Sequence, residues 1–297
     1  VQRYCYAGPV VFAKPQGNQT SRVPLKAGAE IFGASGIAAD AEVIGLMLEA
    51  LREAKMHAPV LLLGHMGIYL GLVEQLLAEG RLDETRRSAL FACIQRKGAS
   101  DIRYLLDDSP TAAMLAALPD LMGDIDILNS AGEVLQQAPE SVLAALQELQ
   151  ELSAMVKARY PQVDLRIDVS ELSGYGYHNG PVFAVYHPQH GSALAQGGRY
   201  DGVGDVFGRG RAATGFDMNL KQLMASALEQ QGAYFAPYTA DESQAELAVF
   251  VKTLRDEGHR VIVAVAEDEQ SPEGCLGTLV RDQDGWQVRP TGTAPNE

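Results

Sequence analysis

The chain has 297 residues, of which 46% are apolar and 21% are charged. This is an ordinary globular composition, with enough length for one large domain and one small one. The formal net charge of −14 argues against a main partner such as DNA or tRNA, because proteins that bind them usually present a basic surface. Three widely separated cysteines form neither a disulfide framework nor a zinc motif, and no apolar run is long enough for a membrane span. With no visible signal peptide, the sequence predicts a cytoplasmic protein.

The beginning of the chain alternates between strand and helix patterns. Tyrosine and valine recur near the start and favour a strand, and a loop rich in polar residues follows. Apolar residues at helical spacing then predict an amphipathic helix, for which Asp40 is a candidate N-cap. The predicted elements are strands over Arg3–Phe12, Arg22–Phe32 and Pro59–Gly64, a loop over Pro15–Ser21, and helices over Ala39–His57 and Gly67–Ala78.

From Leu82 to Tyr160 the pattern becomes helical, which predicts a helical insertion between two sheet-forming halves. Pro161 ends the last helix of this insertion, and short strands and one further helix follow. One predicted helix contains Leu90, Cys93 and Ile94, and the others run over Thr111–Leu118, Ser141–Tyr160 and Phe216–Gln230. The predicted strands run over Val163–Val169, Pro181–Tyr186 and Ala193–Gln196.

A short linker over Pro237–Asp241 precedes a tail with its own pattern. We expect a helix over Glu242–Glu257, a strand over Arg260–Ala266 and a hairpin at Asp284-Gly285. The predicted domains are therefore residues 1–236, with the insertion at about 82–160, and a small α/β domain over residues 237–297.

The most specific motifs of the chain lie close together in its second half. They are Glu171–Gly180, Gly197–Gly202 and Thr214–Asp217, accompanied by Gly8–Phe12 and Gly28–Gly33 near the start. Together they resemble the class II histidyl-tRNA synthetase family and, within it, the synthetase-like regulatory subunits of ATP phosphoribosyltransferase. The resemblance covers roughly Arg3–Leu228. It implies an α+β fold, with a class II synthetase-like antiparallel sheet flanked by helices, and the tail makes the small C-terminal α/β domain.

Three positions that the resemblance matches to arginines of the synthetases are uncharged in this chain. Activation of an amino acid by ATP builds charge on a phosphate, and fixed guanidinium groups are suited to stabilise it. The matching residues here are Phe12, Ser173 and Gln222. Their lack of charge predicts a protein with no catalytic residues and no synthetase activity.

The resemblance also implies a histidine-binding pocket. Glu30 lies in an otherwise apolar strand, where an unpaired carboxylate is costly, and we expect it to accept hydrogen bonds from the ammonium group of the ligand. Glycines in a strand let the backbone approach a ligand closely. The candidate pocket residues are Glu30, Arg22, Lys26, Tyr177, His178, Gly197, Gly198 and Arg199.

Five of these residues, Glu30, Tyr177, Gly197, Gly198 and Arg199, have a structural alternative. Glu30 could be a buried carboxylate paired with Arg22, and Arg199 could form an ion pair with Asp201 or another carboxylate. Tyr177 could be a core residue, and the two adjacent glycines could mark a β-bulge.

Two departures from the family pattern weaken the expected pocket. Lys26 stands where the family has a glutamine, and Gly176 stands where it has an aspartate. Lys26 could pair with Glu30 across the empty pocket and reduce affinity. Neither a metal site nor a cofactor motif is predicted, because His187 and His190 have no third ligand nearby and no phosphate-binding loop occurs.

The resemblance implies a non-catalytic regulatory subunit of ATP phosphoribosyltransferase that supports the short catalytic subunit and senses L-histidine. Such subunits self-associate and assemble with the catalytic subunit as a hetero-octamer, and we expect no nucleic-acid or membrane partner. The first signature of the family is expected before Val1, so we expect the chain to be N-terminally truncated. Two alternatives remain, an active histidyl-tRNA synthetase and a ligand-free interaction scaffold of the same fold.

Overall fold

The structure is a computed structural model that describes residues 1–13, 21–56, 58–106, 108–188, 191–224, 232–240, 243–272, 274–283 and 285–291. It contains two compact units, Val1–Leu223 and Met224–Glu297. None of the helices in the described part of the chain combines the length and the apolar character needed to cross a membrane.

The first unit is built on an eight-stranded sheet with the strand order β1-β2-β8-β7-β6-β3-β5-β4. Neighbouring strands are antiparallel except for β3 and β5, which are parallel, so the sheet is mixed. The strands are β1 (Gln2–Pro9), β2 (Leu25–Phe32), β3 (Val60–His65), β4 (Met122–Gly123), β5 (Asp164–Asp168), β6 (Pro181–Tyr186), β7 (Ala195–Arg199) and β8 (Ala213–Asn219).

Seven α-helices with complete bounds are described in the first unit, and they form its core together with the sheet. Helix α1 packs against β8 and against the long helix α7, and α7 also packs against β3 and α2. The helices are α1 (Ile37–Glu53), α2 (Met66–Ala78), α3 (Glu84–Gln95), α4 (Ala99–Leu105), α5 (Pro110–Ala117), α6 (Ile127–Val134) and α7 (Glu140–Arg159).

Helix α1 begins earlier than the sequence pattern predicts. Its N-cap is Gly36, so the prediction that Asp40 caps this helix is wrong. Asp40 lies inside the first turn with a fully buried side chain, on the same side as the buried residues Val43, Ile44 and Met47. A carboxylate in this environment requires a partner, and that partner is Arg199.

The insertion is helical as predicted, but it also contributes to the sheet. Helices α4 and α6, of seven and eight residues, were not predicted from the sequence. Met122 and Gly123 form the two-residue strand β4, which pairs antiparallel with β5 at one edge of the sheet.

The predicted helix over Phe216–Gln230 is wrong in its first part. Residues up to Asn219 belong to β8, a central strand that hydrogen-bonds to both β2 and β7. Its alternating pattern was masked by apolar residues that also fit a helical period. Residues 220–224 are helical, and the remainder of the predicted helix lies outside the described residues, as do parts of the predicted loop at 15–21.

The tail unit is a small four-stranded sheet with one described helix, and its strand order is β10-β9-β11-β12. Strand β9 pairs in parallel with β10 and β11, so it belongs to the tail although we expected the domain boundary after it, at residue 236. The predicted hairpin is present between β11 and β12, with Asp284 itself outside the described residues. The elements are β9 (Ala233–Ala236), α8 (Ser243–Asp256), β10 (Arg260–Val263), β11 (Gly277–Asp282) and β12 (Gly285–Pro290).

Candidate functional site

The sheet of the first unit has one face that is not packed against α1, and we call it the open face. In β2, the buried residues Ala29 and Ile31 alternate with Lys26, Gly28 and Glu30, which are on the open face. The strand register brings further residues to this face, because Tyr6 pairs with Gly28, Gly28 with Asp217, and Glu30 with Gly215. The open face is defined by Tyr6, Lys26, Gly28, Glu30, Gly215, Asp217 and, from β7, Gly198.

Glu30 is a half-buried carboxylate on the open face. The hydroxyl of Tyr200 donates a hydrogen bond of 2.5 Å to its Oε2. Burial raises the pKa of Glu30 and the nearby Asp217 raises it further, against the opposing effect of the Tyr200 hydrogen bond. No ion pair to Glu30 is found among the described residues. Glu30 is therefore a carboxylate whose environment favours an additional hydrogen-bond donor or cation.

Tyrosine rings surround this carboxylate. The rings of Tyr177 and Tyr200 are stacked, with centroids 4.8 Å apart and planes 25° apart. Burial raises the pKa of Tyr6 to about 12, and the negative charges of Glu30 and Asp217 add to the rise. The three phenols therefore remain neutral donors beside two carboxylates. Flat aromatic faces next to carboxylates form a surface that suits a planar or cationic group.

His178 lies next to this cluster and makes an edge-on contact with Tyr177, with ring centroids 5.0 Å apart. Its Nδ1 donates a 3.1 Å hydrogen bond to the carbonyl of Ser173, which fixes the tautomer. Burial lowers the pKa of His178, so the imidazole is neutral at pH 7. The turn between Ser173 and His178 depends on Gly174, whose φ is +75°. A Cβ at Gly174 would lie 2.1 Å from Nδ1 of His178, so no side chain fits there.

Gly197 and Gly198 occupy regular strand positions, so the alternative of a β-bulge is wrong. Strand β7 keeps an unbroken register with both β6 and β8. A Cβ on Gly197 would lie 2.1 Å from the carbonyl oxygen of Gly215 and 2.6 Å from the ring of Phe183. Gly197 is thus required for close packing on the core side, and only Gly198, beside the His178 ring, adjoins the open face.

Two ion pairs that the sequence left open as alternatives are not formed. Arg22 does not contact Glu30, because its guanidinium donates to the backbone carbonyls of Phe12 and Ala13. Lys26 does not contact Glu30 either, because its Nζ lies 2.7 Å from Oδ1 of Asp217. The partner of Lys26 comes from β8, which lies beside β2 and places Asp217 within reach of Nζ.

Arg199 is directed away from the open face. It forms a buried ion pair with Asp40 of α1, with 2.6 Å between Nη2 and Oδ2, and a second contact of 3.3 Å with Asp201. Burial raises the pKa of Asp40, and the guanidinium of Arg199 opposes that rise. The pair is ionised, because Nε and Nη2 of Arg199 both donate hydrogen bonds to Oδ2 of Asp40. The structural alternative for Arg199, an ion pair with Asp201 or another carboxylate, is therefore the one that the structure shows.

The three positions without arginine are placed as follows. The ring of Phe12 lies 5.6 Å from Nζ of Lys26. Ser173 is exposed, and its backbone carbonyl holds His178. The amide of Gln222 donates a 3.1 Å hydrogen bond to Oγ of Ser192. The described part of the open face thus carries one cation, Lys26, and that cation is paired.

Other histidines have structural roles or lie outside the described residues. His65 ends β3 and caps α2, accepting from the backbone N–H of Gly67, and its Nε2 lies 3.1 Å from Glu148. His190 is not described. In the described ranges no group of three or more His, Cys, Asp or Glu side chains is placed to hold a metal ion.

The pocket residues chosen from the sequence omitted Tyr6, Tyr200 and Asp217, although Tyr200 and Asp217 lie in the motifs that carry the resemblance. Tyr6 could have been found from the alternation of Tyr4 and Tyr6 in β1. Asp217 was hidden because the segment that contains it was assigned to a helix, and only a strand there places it opposite Gly28.

Comparisons with known proteins agree with this architecture. A model of the histidyl-tRNA synthetase family matches residues 1–223, and a model of the C-terminal domain of the ATP phosphoribosyltransferase subunit HisZ matches residues 231–289. The ATP phosphoribosyltransferase regulatory subunits of Alkalilimnicola ehrlichii and Azotobacter vinelandii are each 40% identical to this chain, over 300 and 297 residues. Each alignment covers 97% of this chain and 73% of the relative.

Solved structures share the fold at lower identity. A protein from Bacillus halodurans C, described as an ATP phosphoribosyltransferase regulatory subunit/histidyl-tRNA synthetase, has a TM-score of 0.67 and 23% identity, covering 91% of this chain and 69% of that one. A chain of the ATP phosphoribosyl transferase (HisG:HisZ) complex from Thermotoga maritima has a TM-score of 0.57 and 19% identity, covering 73% of each chain.

The fold and the open face therefore define a class II, histidyl-tRNA synthetase-like protein, which confirms the predicted fold class. The curated relatives above are named regulatory subunits, and the tail matches the corresponding C-terminal domain. The chain belongs to the family of ATP phosphoribosyltransferase regulatory subunits.

Proposed function

We propose that this chain binds the short catalytic subunit of ATP phosphoribosyltransferase in the cytoplasm, supports its activity and transmits feedback inhibition by L-histidine. Family membership over 97% of the chain supports the partner. The single observation that supports the ligand is Glu30, a half-buried carboxylate with aromatic neighbours and no ion pair among the described residues. Three cysteines without disulfides are compatible with a reducing compartment.

The chemistry of the open face fits histidine in two respects. A free amino acid brings an ammonium group with three N–H donors, and Glu30 accepts from it. The imidazole is planar and packs against the stacked rings of Tyr177 and Tyr200. For binding to inhibit the partner, histidine must bind the inhibited state of the complex more tightly than the active state.

The partner role is tested with the purified short catalytic subunit. We expect the two proteins to co-elute in size-exclusion chromatography and the rate of phosphoribosyl transfer to rise when this chain is added. A catalytic subunit with the same rate and the same elution volume in the presence of the chain contradicts the proposal.

An active synthetase is the weaker candidate. The one cation on the described part of the open face is held by Asp217, so no free guanidinium or ammonium remains there for the phosphates of ATP. Histidine-dependent exchange between pyrophosphate and ATP, in a preparation free of host synthetase, would favour the synthetase instead.

A further inference from the structure

The turn formed by residues 174–178 connects the open face with the helical insertion. Tyr177 contacts the open-face cluster, where its ring stacks on that of Tyr200 with centroids 4.8 Å apart. Tyr175, two residues earlier, contacts the insertion instead, since its ring stacks on Phe91 of α3 with centroids 4.3 Å apart and planes 29° apart. The same short turn is therefore in contact with two parts of the first unit that are distant in sequence.

Two further contacts hold the side chain of Tyr175. Nε of Arg87, which is also in α3, donates a 3.1 Å hydrogen bond to the Tyr175 hydroxyl. The ring of Tyr69 in α2 meets that of Tyr175 edge-on, with centroids 5.8 Å apart and planes 74° apart, and Tyr69 is fully buried. Stacked and edge-on aromatic pairs contribute stabilisation beyond the burial of their area, and a hydrogen bond from a charged donor is stronger than a neutral one. Tyr175 therefore attaches the turn to α2 and α3.

The backbone of the turn holds its local shape but does not attach it to another element. The N–H groups of Tyr177 and His178 both donate to the carbonyl of Gly174, inside the turn. Gly174 and Gly176 have φ values of +75° and +81°, a region that glycine enters and leaves without steric cost. Side-chain contacts of the turn, including those of Tyr175, therefore decide where Tyr177 and His178 are held.

Helix α3 is attached to the rest of the first unit by few buried side chains. Only three of its twelve residues, Leu90, Cys93 and Ile94, are buried. Elements with few buried contacts open locally at a lower free energy than the core does. The order of α3 is therefore sensitive to its contacts with Tyr175.

We propose that Arg87, Phe91 and Tyr175 are positioning residues that couple the helical insertion to the histidine site. They hold the turn that carries Tyr177 and His178 in its binding conformation without contacting the ligand themselves. This inference rests on the proposed histidine-sensing function and gives that site a connection to α3. A turn that is already ordered binds a ligand more tightly, because less ordering accompanies binding. Coupling is reciprocal, so bound histidine must in turn stabilise the contact between α3 and Tyr175.

The first test is hydrogen–deuterium exchange of the full chain with and without saturating L-histidine. We expect the ligand to slow the exchange of amides in α3 as well as in the turn, although no residue of α3 belongs to the candidate pocket. Tyr175→Leu keeps an apolar side chain but lacks the flat ring and the hydroxyl. In this variant L-histidine should still slow exchange in the turn and should no longer slow it in α3. Unchanged exchange in α3 of the saturated wild-type chain overturns the inference.

The second test is the affinity for L-histidine, measured by isothermal titration calorimetry on two variants and their combination. Tyr175→Phe keeps the ring and removes the hydroxyl, and Arg87→Met removes the donor. One hydrogen bond corresponds to about a two- to tenfold change in affinity, so each variant should bind L-histidine more weakly by about this factor. The double variant should bind no more weakly than the weaker single variant, because both changes remove the same bond. Arg96→Met, which breaks an exposed pair with Asp101 at the other end of α3, is the matched control and should bind as wild type does.

The outcomes separate this inference from the function on which it rests. Wild-type affinity in both single variants, or losses that add up in the double variant, overturn the role of Arg87 and Tyr175 while histidine binding itself stands. A lower Tm with unchanged affinity means that the contact only stabilises the fold, which also overturns the inference. If the wild-type chain binds no L-histidine, alone or with the catalytic subunit, then both the inference and the sensing role are wrong.

Discussion

The buried ion pair between Arg199 and Asp40 predicts a large loss of stability in Asp40→Asn. The Asp40 side chain is fully buried and that of Arg199 is 7% exposed. Asparagine keeps the shape but removes the charge, so the guanidinium retains only Asp201 at 3.3 Å and the carbonyl oxygens of Ala34 and Gly36. Removing one partner of a buried pair costs about 3–5 kcal/mol. For a unit of this size, that loss corresponds to a decrease in Tm of about 6–20 °C.

The measurement is urea and thermal unfolding followed by far-ultraviolet circular dichroism. Tryptophan fluorescence serves as an internal control, since the single tryptophan, Trp286, lies in the tail unit and reports on that unit. Asp164→Asn is the matched control, because Asp164 pairs with Arg166 on the surface and such pairs contribute about 0–1 kcal/mol. If Asp40→Asn loses no more stability than this control, the ion pair does not anchor α1 to β7 and our account of Arg199 is wrong.

Three further predictions follow from the same sheet. The pKa of Glu30 is raised in the folded protein, so its contribution to stability is present below its unfolded pKa and is lost as the pH rises through the folded pKa. Without ligand, Glu30→Gln should therefore have a higher Tm than wild type at pH 7 and a similar Tm at pH 4. A difference in Tm of the same size at both pH values contradicts this. Gly197→Ala should destabilise the first unit by about 1–3 kcal/mol in urea titrations, whereas Gly8→Ala, with no atom within 4 Å of its built Cβ, should be close to neutral. Ser173→Arg alone should give no histidine-dependent ATP–pyrophosphate exchange, because Phe12 and Gln222 remain uncharged and such groups act as a unit; measurable exchange refutes this.

Much of the fold could be predicted from the sequence where local pattern and burial agree. Strand β6 was predicted at its observed bounds because it is a short, continuous apolar run that follows Gly180, and α2 and α7 were predicted to within a residue because their apolar segments are too long for a strand. The pattern failed for β8, since Phe216, Leu220 and Leu223 also fit a helical period. The pattern also failed for β9, which was not predicted as a strand and was placed before the domain boundary. Its pairing with β10 and β11 assigns it to the tail.

The site was predictable residue by residue only in part. The motifs identified Glu30, Tyr177 and His178, and the structure brings these three near one another. The motifs could not show which face of the sheet each residue occupies, because that depends on register with distant strands. Thus Arg199 was assigned to the pocket although it faces α1, and the sequence offered Glu30 as a possible partner of Lys26 although its partner is Asp217.

The most direct test of histidine sensing is an inhibition curve of the assembled complex. The rate of the short catalytic subunit is measured with wild-type chain and with Glu30→Gln over a range of L-histidine concentrations. A charged hydrogen bond contributes about 1.5–3 kcal/mol, so we predict that the midpoint of inhibition rises about 10- to 150-fold in the variant. A variant complex with the wild-type midpoint, or a wild-type complex that L-histidine does not inhibit, contradicts the account.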